Sequence, residues 1–414
     1  MPLGSQSIRR ILLVIPNLGF GGAQRVFSDL SKELGKIYEV FECTFNLNQK
    51  NEYPTNNELI SLNVQGGNSL LSKAISFIKR CIALKKIKKQ YKIDCTISHL
   101  AGANYVNILS RHKDRVVLCV HAAKKPDKNI TGITGFIEKM FLVPWLYPHS
   151  NRIVSVSQAV KEELTGGFGL KYEAIEVIYN SFDNEAITAK SMEPIPEKFK
   201  IIFNHPVVIT CGRLVLQKNH SGLLHAVSIA LEMTDFKLVI VGDGPLKTEL
   251  LNLCKKLGLN TYIEGKTEQI SDNFQIYFLG FHKNPFSLLK NASVFVLTSN
   301  WEGFPLAPCE AMICELPIVS TDCPTGPREI LAPGGPPLLN INLKNVEYAE
   351  YGILMPMLND LNKNGSEFIW AKTIVDLIEN KELRLEYGFK GKERIKELDI
   401  KKINDKWGKL LMSI

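Results

Sequence analysis

The sequence predicts an α/β protein built from two Rossmann-like domains with parallel sheets. Three observations lead there. Apolar runs of strand length alternate with longer amphipathic segments along most of the 414 residues, the pattern of repeated βα units. The alternation lapses in the polar, proline-containing stretch SMEPIPEKFKIIFNHP (191–206) and then restarts, which marks two halves of similar length. The apolar runs end in glycine, histidine or charged residues, and the carboxyl ends of strands in an open parallel sheet are where a binding crevice lies.

In chain order, RRILLVIP (9–16) reads as a buried strand, GGAQRVFSDLSKELGK (21–36) as an amphipathic helix and YEVFECTF (38–45) as a strand. LSKAISFIKRCIALKKIKKQY (71–91) is a long helix, and DCTISHL (94–100), RVVLCVH (115–121) and RIVSVS (152–157) are strands. The second half opens on VVITCGRL (207–214), with a helix near GLLHAVSIALE (222–232), strand KLVIVGDG (237–244), a helix from Leu246, and strands IYFLGF (276–281) and SVFVLTS (293–299). A short helix, APCEAMICE (307–315), leads to strand LPIVST (316–321), and RIKELDIKKINDKWGKLL (394–411) is helical. The expected domains are 1–197 and 198–395, with a terminal helix in 396–414 and a ligand crevice between the domains.

Composition narrows the class. With 45% apolar and 22% charged residues the chain has material for real cores. Its longest apolar runs, such as ILLVIP from Ile11, fall far short of the roughly 18 residues a membrane span needs. The early passage from ILLVIP into a glycine turn is unlike a secretory signal, so a cytoplasmic location is expected. Nine cysteines occur singly, without a CxxC pair, and read as reduced core residues. Neither a nucleic-acid partner nor a cofactor is expected.

The residues after the strands hold the chemistry. NLGFGGAQ (17–24) places Gly19, Gly21 and Gly22 at a helix N-terminus, where amides suit phosphate. It is not a dinucleotide fingerprint, because Gln24 replaces the third glycine. RLVLQKN brings Arg213 and Lys218 to the rim of the second domain, two cations suited to a diphosphate. IVGDGP and FLGF end strands at Gly244, Gly280 and Phe281, leaving backbone open to a flat base. In WEGFPLAPCEAM (301–312), Glu302 lies in the loop after a strand, and Gly303, Phe304 and Pro305 form a rigid turn before Leu306. Glu310 is expected in the first turn of the following helix, where the helix dipole favours a carboxylate.

Taken together, Glu302 and Glu310 in an E-x7-E arrangement, GFP after the first of them, Arg213 with Lys218, GDGP, FLG and the amino-terminal GGAQ resemble the retaining glycosyltransferases of family 4, which have the GT-B fold. The resemblance spans nearly the whole chain and is densest in the second half. It implies that Arg213 and Lys218 bind the nucleotide diphosphate, Glu310 the ribose hydroxyls, and Glu302 with the Phe304–Leu306 backbone the donor sugar. Gly21 and Gly22 would approach the phosphate from the first domain, His121 would face the sugar, and the terminal helix would cross back to the first domain with Trp407 packed there.

The implied reaction is transfer of a hexose or N-acetylhexosamine from a nucleotide sugar, UDP-linked by the character of the TDCPTGPREIL loop, which departs from the family's usual GG. No Asp-x-Asp pair occurs in the chain, in keeping with a family that uses no metal. A nucleotide-sugar epimerase of the same fold is the alternative. A nicotinamide dehydrogenase is disfavoured by the broken glycine fingerprint, and a binding-only subunit by the intact charged set.

The acceptor expectation comes from charge. Of a net +8, Lys73, Lys79, Arg80, Lys85, Lys86, Lys88, Lys89 and Lys92 fall between Leu70 and Lys92 without one acidic residue. Leu71, Ile75, Ile78, Ile82 and Leu84 recur at near-helical spacing, so one face is expected to pack and the other to form a cationic strip. Such a strip suits an anionic leaflet at about 1 kcal/mol per basic residue. The expected enzyme therefore works peripherally at the inner membrane face, on a polyprenyl-diphosphate-linked saccharide in bacterial cell-surface polysaccharide synthesis.

Overall fold

The computed structural model describes residues 8–19, 21–47, 53–122, 137–335, 343–358 and 365–414. The chain divides into two compact units, Met1–Ser181 with Ile400–Ile414, and Phe182–Asp399. The first unit holds a seven-stranded sheet in the order β3-β2-β1-β4-β5-β6-β7, formed by β1 (Arg10–Ile15), β2 (Glu39–Thr44), β3 (Glu58–Ser61), β4 (Cys95–His99), β5 (Arg115–Val120), β6 (Arg152–Ser155) and β7 (Ile175–Val177). Every pairing is parallel. Ile11 to Ile15 are wholly buried, as expected of a strand covered on both faces.

Helices α1 (Gly22–Leu34), α2 (Leu70–Gln90) and α3 (Ala101–Leu109) belong to this unit. The C-terminal helix Ile400–Ser413 buries Ile403, Trp407, Leu410 and Leu411 in the same cluster as Ile11, Leu13, Phe27 and Leu30. Trp407 thus forms part of the first unit's core.

The second unit carries an eight-stranded sheet in the order β10-β11-β9-β8-β12-β13-β15-β14. Its strands are β8 (Val207–Cys211), β9 (Lys237–Val241), β10 (Thr261–Ile263), β11 (Ile276–Gly280), β12 (Val294–Leu297), β13 (Ile318–Thr321), β14 (Glu347–Ala349) and β15 (Gly352–Met355). Only the β14–β15 hairpin is antiparallel among the described strands. The units divide at Ser181/Phe182 and Asp399/Ile400, where the sequence suggested 197/198 and 395/396. Helix Asn184–Ser191 packs on helices Phe286–Asn291 and Leu306–Ile313 of the second unit, and Phe182 N donates to Leu398 O at 3.0 Å. The helical tail is correspondingly broken, running Lys381–Ile395, a turn at Lys396–Leu398, and then Ile400–Ser413.

Helix α2 corrects the sequence reading. Its packed face is made by Phe77, Cys81, Leu84, Ile87 and Lys88. Leu71, Ile75, Ile78 and Ile82, expected to pack, are 73%, 45%, 57% and 65% exposed. The reason is Lys88, which turns inward. Its Nζ lies 2.8 Å from Asp114 Oδ2 with both side chains fully buried, and 2.7 Å from Asn107 Oδ1. Thr96 Oγ1 donates to the same Asp114 oxygen at 2.7 Å. This satisfied pair sets the rotation of the helix, so Lys88 is lost from the cationic strip and an apolar ridge points outward.

Candidate functional site

In the second unit, the loops after β8 and β12 are stitched to each other. Asn300 N donates to Gln217 O at 2.7 Å, Asn300 Nδ2 to Leu216 O at 2.8 Å, and Gln217 Nε2 to Trp301 O at 2.8 Å. Thr298 Oγ1 bonds Lys218 O at 3.0 Å. Asn219, at a left-handed φ of 48°, closes the turn and caps the helix His220–Ala230 through Gly222 N at 3.2 Å. This scaffold delivers Lys218 Nζ to 2.6 Å from Glu302 Oε1. The side chains are 18% and 7% exposed, so the pair is shielded on most sides and keeps an opening at the lysine.

Arg213 follows β8 but joins no ion pair among the described residues; its side chain is exposed. Its loop is fixed by close backbone approach. A Cβ on Gly242, whose φ is +145°, would fall 1.9 Å from Gly212 O, and one on Gly244 would fall 2.5 Å from Leu214 O. GDG therefore serves to seat the arginine loop, which corrects the expectation that Gly244 leaves its backbone open. Gly280 holds φ +70° with room where a Cβ would stand, but its carbonyl accepts from Gly242 N at 2.8 Å, so its backbone is not left open either; Phe281 beside it is 53% exposed.

The turn Gly303–Pro305 is buried and Leu306 half-buried. Glu310 is buried too, but helix Leu306–Ile313 has no acidic residue in its first turn. It sits in the second turn, where the dipole account does not apply.

In the first unit, Gly21 is the N-cap of α1 and Gly22 its first residue, with no side-chain cap and no acidic residue in the first turn. The amides there suit an anion. His121 follows β5 and is half-buried. Its Nε2 lies 2.9 Å from Nδ1 of His99 at the end of neighbouring β4. Burial holds His121 down to about 4 and His99 well below the ordinary imidazole range, with His121 a second cause for the latter. Both rings are neutral near pH 7.

Family models place this chain. The model described as Glycosyltransferase Family 4 matches residues 20–186, and that for Glycosyl transferases group 1 matches residues 191–340. An uncharacterised glycosyltransferase of Methanocaldococcus jannaschii is 30% identical over 377 residues, covering 86% of this chain and 87% of that protein. The chain belongs to glycosyltransferase family 4. A 4-alpha-N-acetylgalactosaminyltransferase of Campylobacter jejuni, named for its N-acetylgalactosamine-N,N'-diacetylbacillosaminyl-diphospho-undecaprenol substrate, is 29% identical over 96% of this chain and 97% of its own. The structure of Anabaena HepE with UDP-glucose superposes with a TM-score of 0.71 at 19% identity, covering 98% of this chain and all of that one. Its likeness establishes the GT-B fold.

In this family-4 glycosyltransferase the loop that departs from the usual pattern braces the Glu302 turn. The Thr325 hydroxyl donates to Glu302 O. Gly326 (φ +88°) lies so close to the turn that a Cβ there would be 2.8 Å from Gly303 O and 2.7 Å from Pro305 Cδ. Thr325 itself holds φ +70°, unusual for a β-branched residue. Arg328 locks the loop's far end by bonding Asp322 at 2.7 Å and Glu347 at 2.8 Å. The proline-rich run that follows extends through Pro337 into residues 336–342, outside the described residues.

Sequence reasoning passed over two residues of this family-4 protein. His99 closes DCTISHL as His121 closes RVVLCVH, so the strand-end rule that singled out His121 applied equally to it. Thr325 gave no such signal, because its importance lies in a backbone angle and a hydrogen bond to a residue 23 positions away.

Proposed function

We propose that the chain is a retaining, metal-independent hexosyltransferase that moves a hexose or N-acetylhexosamine from a UDP-sugar to a lipid-linked saccharide in cell-surface polysaccharide synthesis. The observation that bears the most weight is the Lys218–Glu302 pair at the carboxyl ends of β8 and β12, in a chain of family 4. The UDP donor is supported by HepE, solved with UDP-glucose. The acceptor class is supported by the Campylobacter relative, whose name gives a diphospho-undecaprenol substrate.

Breaking the bond from anomeric carbon to phosphate gathers negative charge on the diphosphate while positive charge develops on the sugar. Preorganised cations lower that barrier. Lys218 and Arg213 take this role, with Gly21 and Gly22 offering amides to the phosphate. Glu302, with the backbone of Phe304 to Leu306, holds the donor sugar, and His121 faces it. Glu310 accepts the ribose hydroxyls, and Gly280 and Phe281 border the base. With no Asp-x-Asp pair in the chain, lysine and arginine do the work a metal does elsewhere.

Helix α2 is the contact with the inner face of the plasma membrane. Leu71, Ile75, Ile78 and Ile82 form its outward ridge, and Lys73, Lys79, Lys85, Lys86, Lys89 and Lys92 are exposed. Apolar burial in the interface and attraction to anionic lipid then act together. No helix among the described residues is long and apolar enough to cross a membrane.

The test is a panel of nucleotides and nucleotide sugars. UDP is expected to raise the melting temperature where NAD does not, and one UDP-sugar to be consumed only with a polyprenyl-diphosphate saccharide present, giving a product of retained anomeric configuration in EDTA. Release of an epimerised sugar nucleotide, or indifference to UDP, overturns the reading.

A further inference from the structure

The carboxyl ends of two adjacent parallel strands in the first unit carry an imidazole pair. His99 is the last residue of β4, opposite Cys119 of β5, and His121 follows β5. Their nitrogens are 2.9 Å apart, and the rings stack at 5.0 Å and 29°. A hydrogen bond between two neutral imidazoles needs one protonated nitrogen and one bare one, so the tautomers of the two rings are tied together.

The proton can be placed. Nε2 of His99 is buried and has no hydrogen-bond partner among the described residues, with the edge of the Phe27 contact 5.4 Å from ring to ring. A buried N–H left without a partner is rarer than an unfilled acceptor, so Nε2 is the bare nitrogen and Nδ1 of His99 carries the proton. Beside it lies a cavity of about 20 Å³ lined by His99, His121, Asn180, Ser181 and Trp407.

The backbone next to the pair is constrained as well. Leu100 holds φ 73° and ψ 150°, a region that residues bearing a Cβ enter only under constraint and that concentrates at functional sites. The turn it makes ends β4 at His99 and opens α3.

We propose that His99 is a positioning residue for His121: its Nδ1–H donates to Nε2 of His121, so that His121 keeps its own proton on Nδ1 and offers that nitrogen as a donor to a hydroxyl of the sugar. The assignment rests on the reading that His121 faces the donor sugar. The contact with His99 engages Nε2 of His121, so Nδ1 is the ring nitrogen that would meet the sugar.

Two-bond proton–nitrogen spectra of the ¹⁵N-histidine-labelled full chain test this directly. The expected result is the Nδ1–H tautomer for both His99 and His121 in the wild type. His99→Asn, whose amide reaches the Nδ1 position, is expected to keep that form of His121 and most of kcat. His99→Leu and His99→Gln are expected to release it and to lower kcat by about 10- to 100-fold with little change in the donor KM. An Nε2–H form of His121 in the wild type overturns the proposal even if no variant folds, as does an unchanged His121 tautomer in folded His99→Leu. The parent reading fails separately: His121→Ala with full transfer activity removes the sugar contact while leaving the tautomer result standing.

Discussion

Lys218 Nζ lies 2.6 Å from Glu302 Oε1, joining the loop after β8 to the loop after β12 through two side chains that are largely enclosed. The pair holds each member in place before a ligand arrives, and a diphosphate would take over the lysine's charge. Glu302→Gln keeps the shape and removes the charge; Lys218→Ala removes the cation and leaves an enclosed carboxylate. Each is expected to cut transfer by on the order of a hundredfold or more. Glu302→Gln leaves the more open lysine and is expected to melt near the wild type, and Lys218→Ala lower, since it leaves the more enclosed carboxylate without its cation. Initial rates and thermal unfolding check both, and full activity in either variant refutes the assignment.

Thr325 holds the Glu302 turn by its hydroxyl at a φ of +70°. Thr325→Ser keeps the bond and is expected to stay near wild-type activity. Thr325→Val keeps the shape and strands Glu302 O, and is expected to lose roughly tenfold or more in kcat, because small displacements of positioned groups are costly. Equal rates for the two variants would show that the hydroxyl does not position the turn.

The rotation of α2 separates two kinds of lysine. Lys85→Glu, Lys86→Glu and Lys89→Glu together are expected to abolish flotation with anionic liposomes and leave the melting temperature alone. Binding by the wild type is expected to weaken with salt as screening shortens the reach of charge, and Ile75→Ser with Ile78→Ser and Ile82→Ser to weaken the salt-resistant remainder. Lys88→Met leaves Asp114 buried and unpaired, so it is expected to cost about 3–5 kcal/mol of stability. Binding indifferent to lipid charge and to salt would sink the membrane contact without touching the transferase reading.

Acid is expected to unfold the protein through its neutral histidines. Burial, with Lys218 a second cause, lowers His220 to about 4, and His121 is lowered to about 4 by burial. The unfolded chain binds protons at its histidines below about 6.5 while the folded chain does not until near 4. Stability is therefore full above about pH 6.5 and lost as pH falls toward 4. For His220 the loss is on the order of 3 kcal/mol. Urea midpoints at neutral and acid pH measure it, and His220→Gln is expected to flatten the profile; an unchanged slope would refute the contribution.

The sequence alone determined the alternation of strands and helices, because strands buried on both faces must be apolar and their carboxyl ends must turn through residues such as Gly21, His121 and Glu302. It pointed to the family through motifs that are each a few residues long, spread from Gly21 to Glu310. Short edge strands such as β3, β7 and β14 escaped it, since three or four residues carry too little periodicity. The tertiary structure decided what depends on partners distant in sequence. Asp114 turns Lys88 inward, and so sends Leu71, Ile75, Ile78 and Ile82 out to solvent. Gly212 and Leu214 explain Gly242 and Gly244 through backbone approach, and Phe182 pairing with Leu398 moves the unit boundary. Glu302 O gives Thr325 its purpose, and the parallel pairing of β4 with β5 brings His99 within 2.9 Å of His121. Side-chain period reports which residues are apolar; only packing reports which way a charged residue will turn to be satisfied.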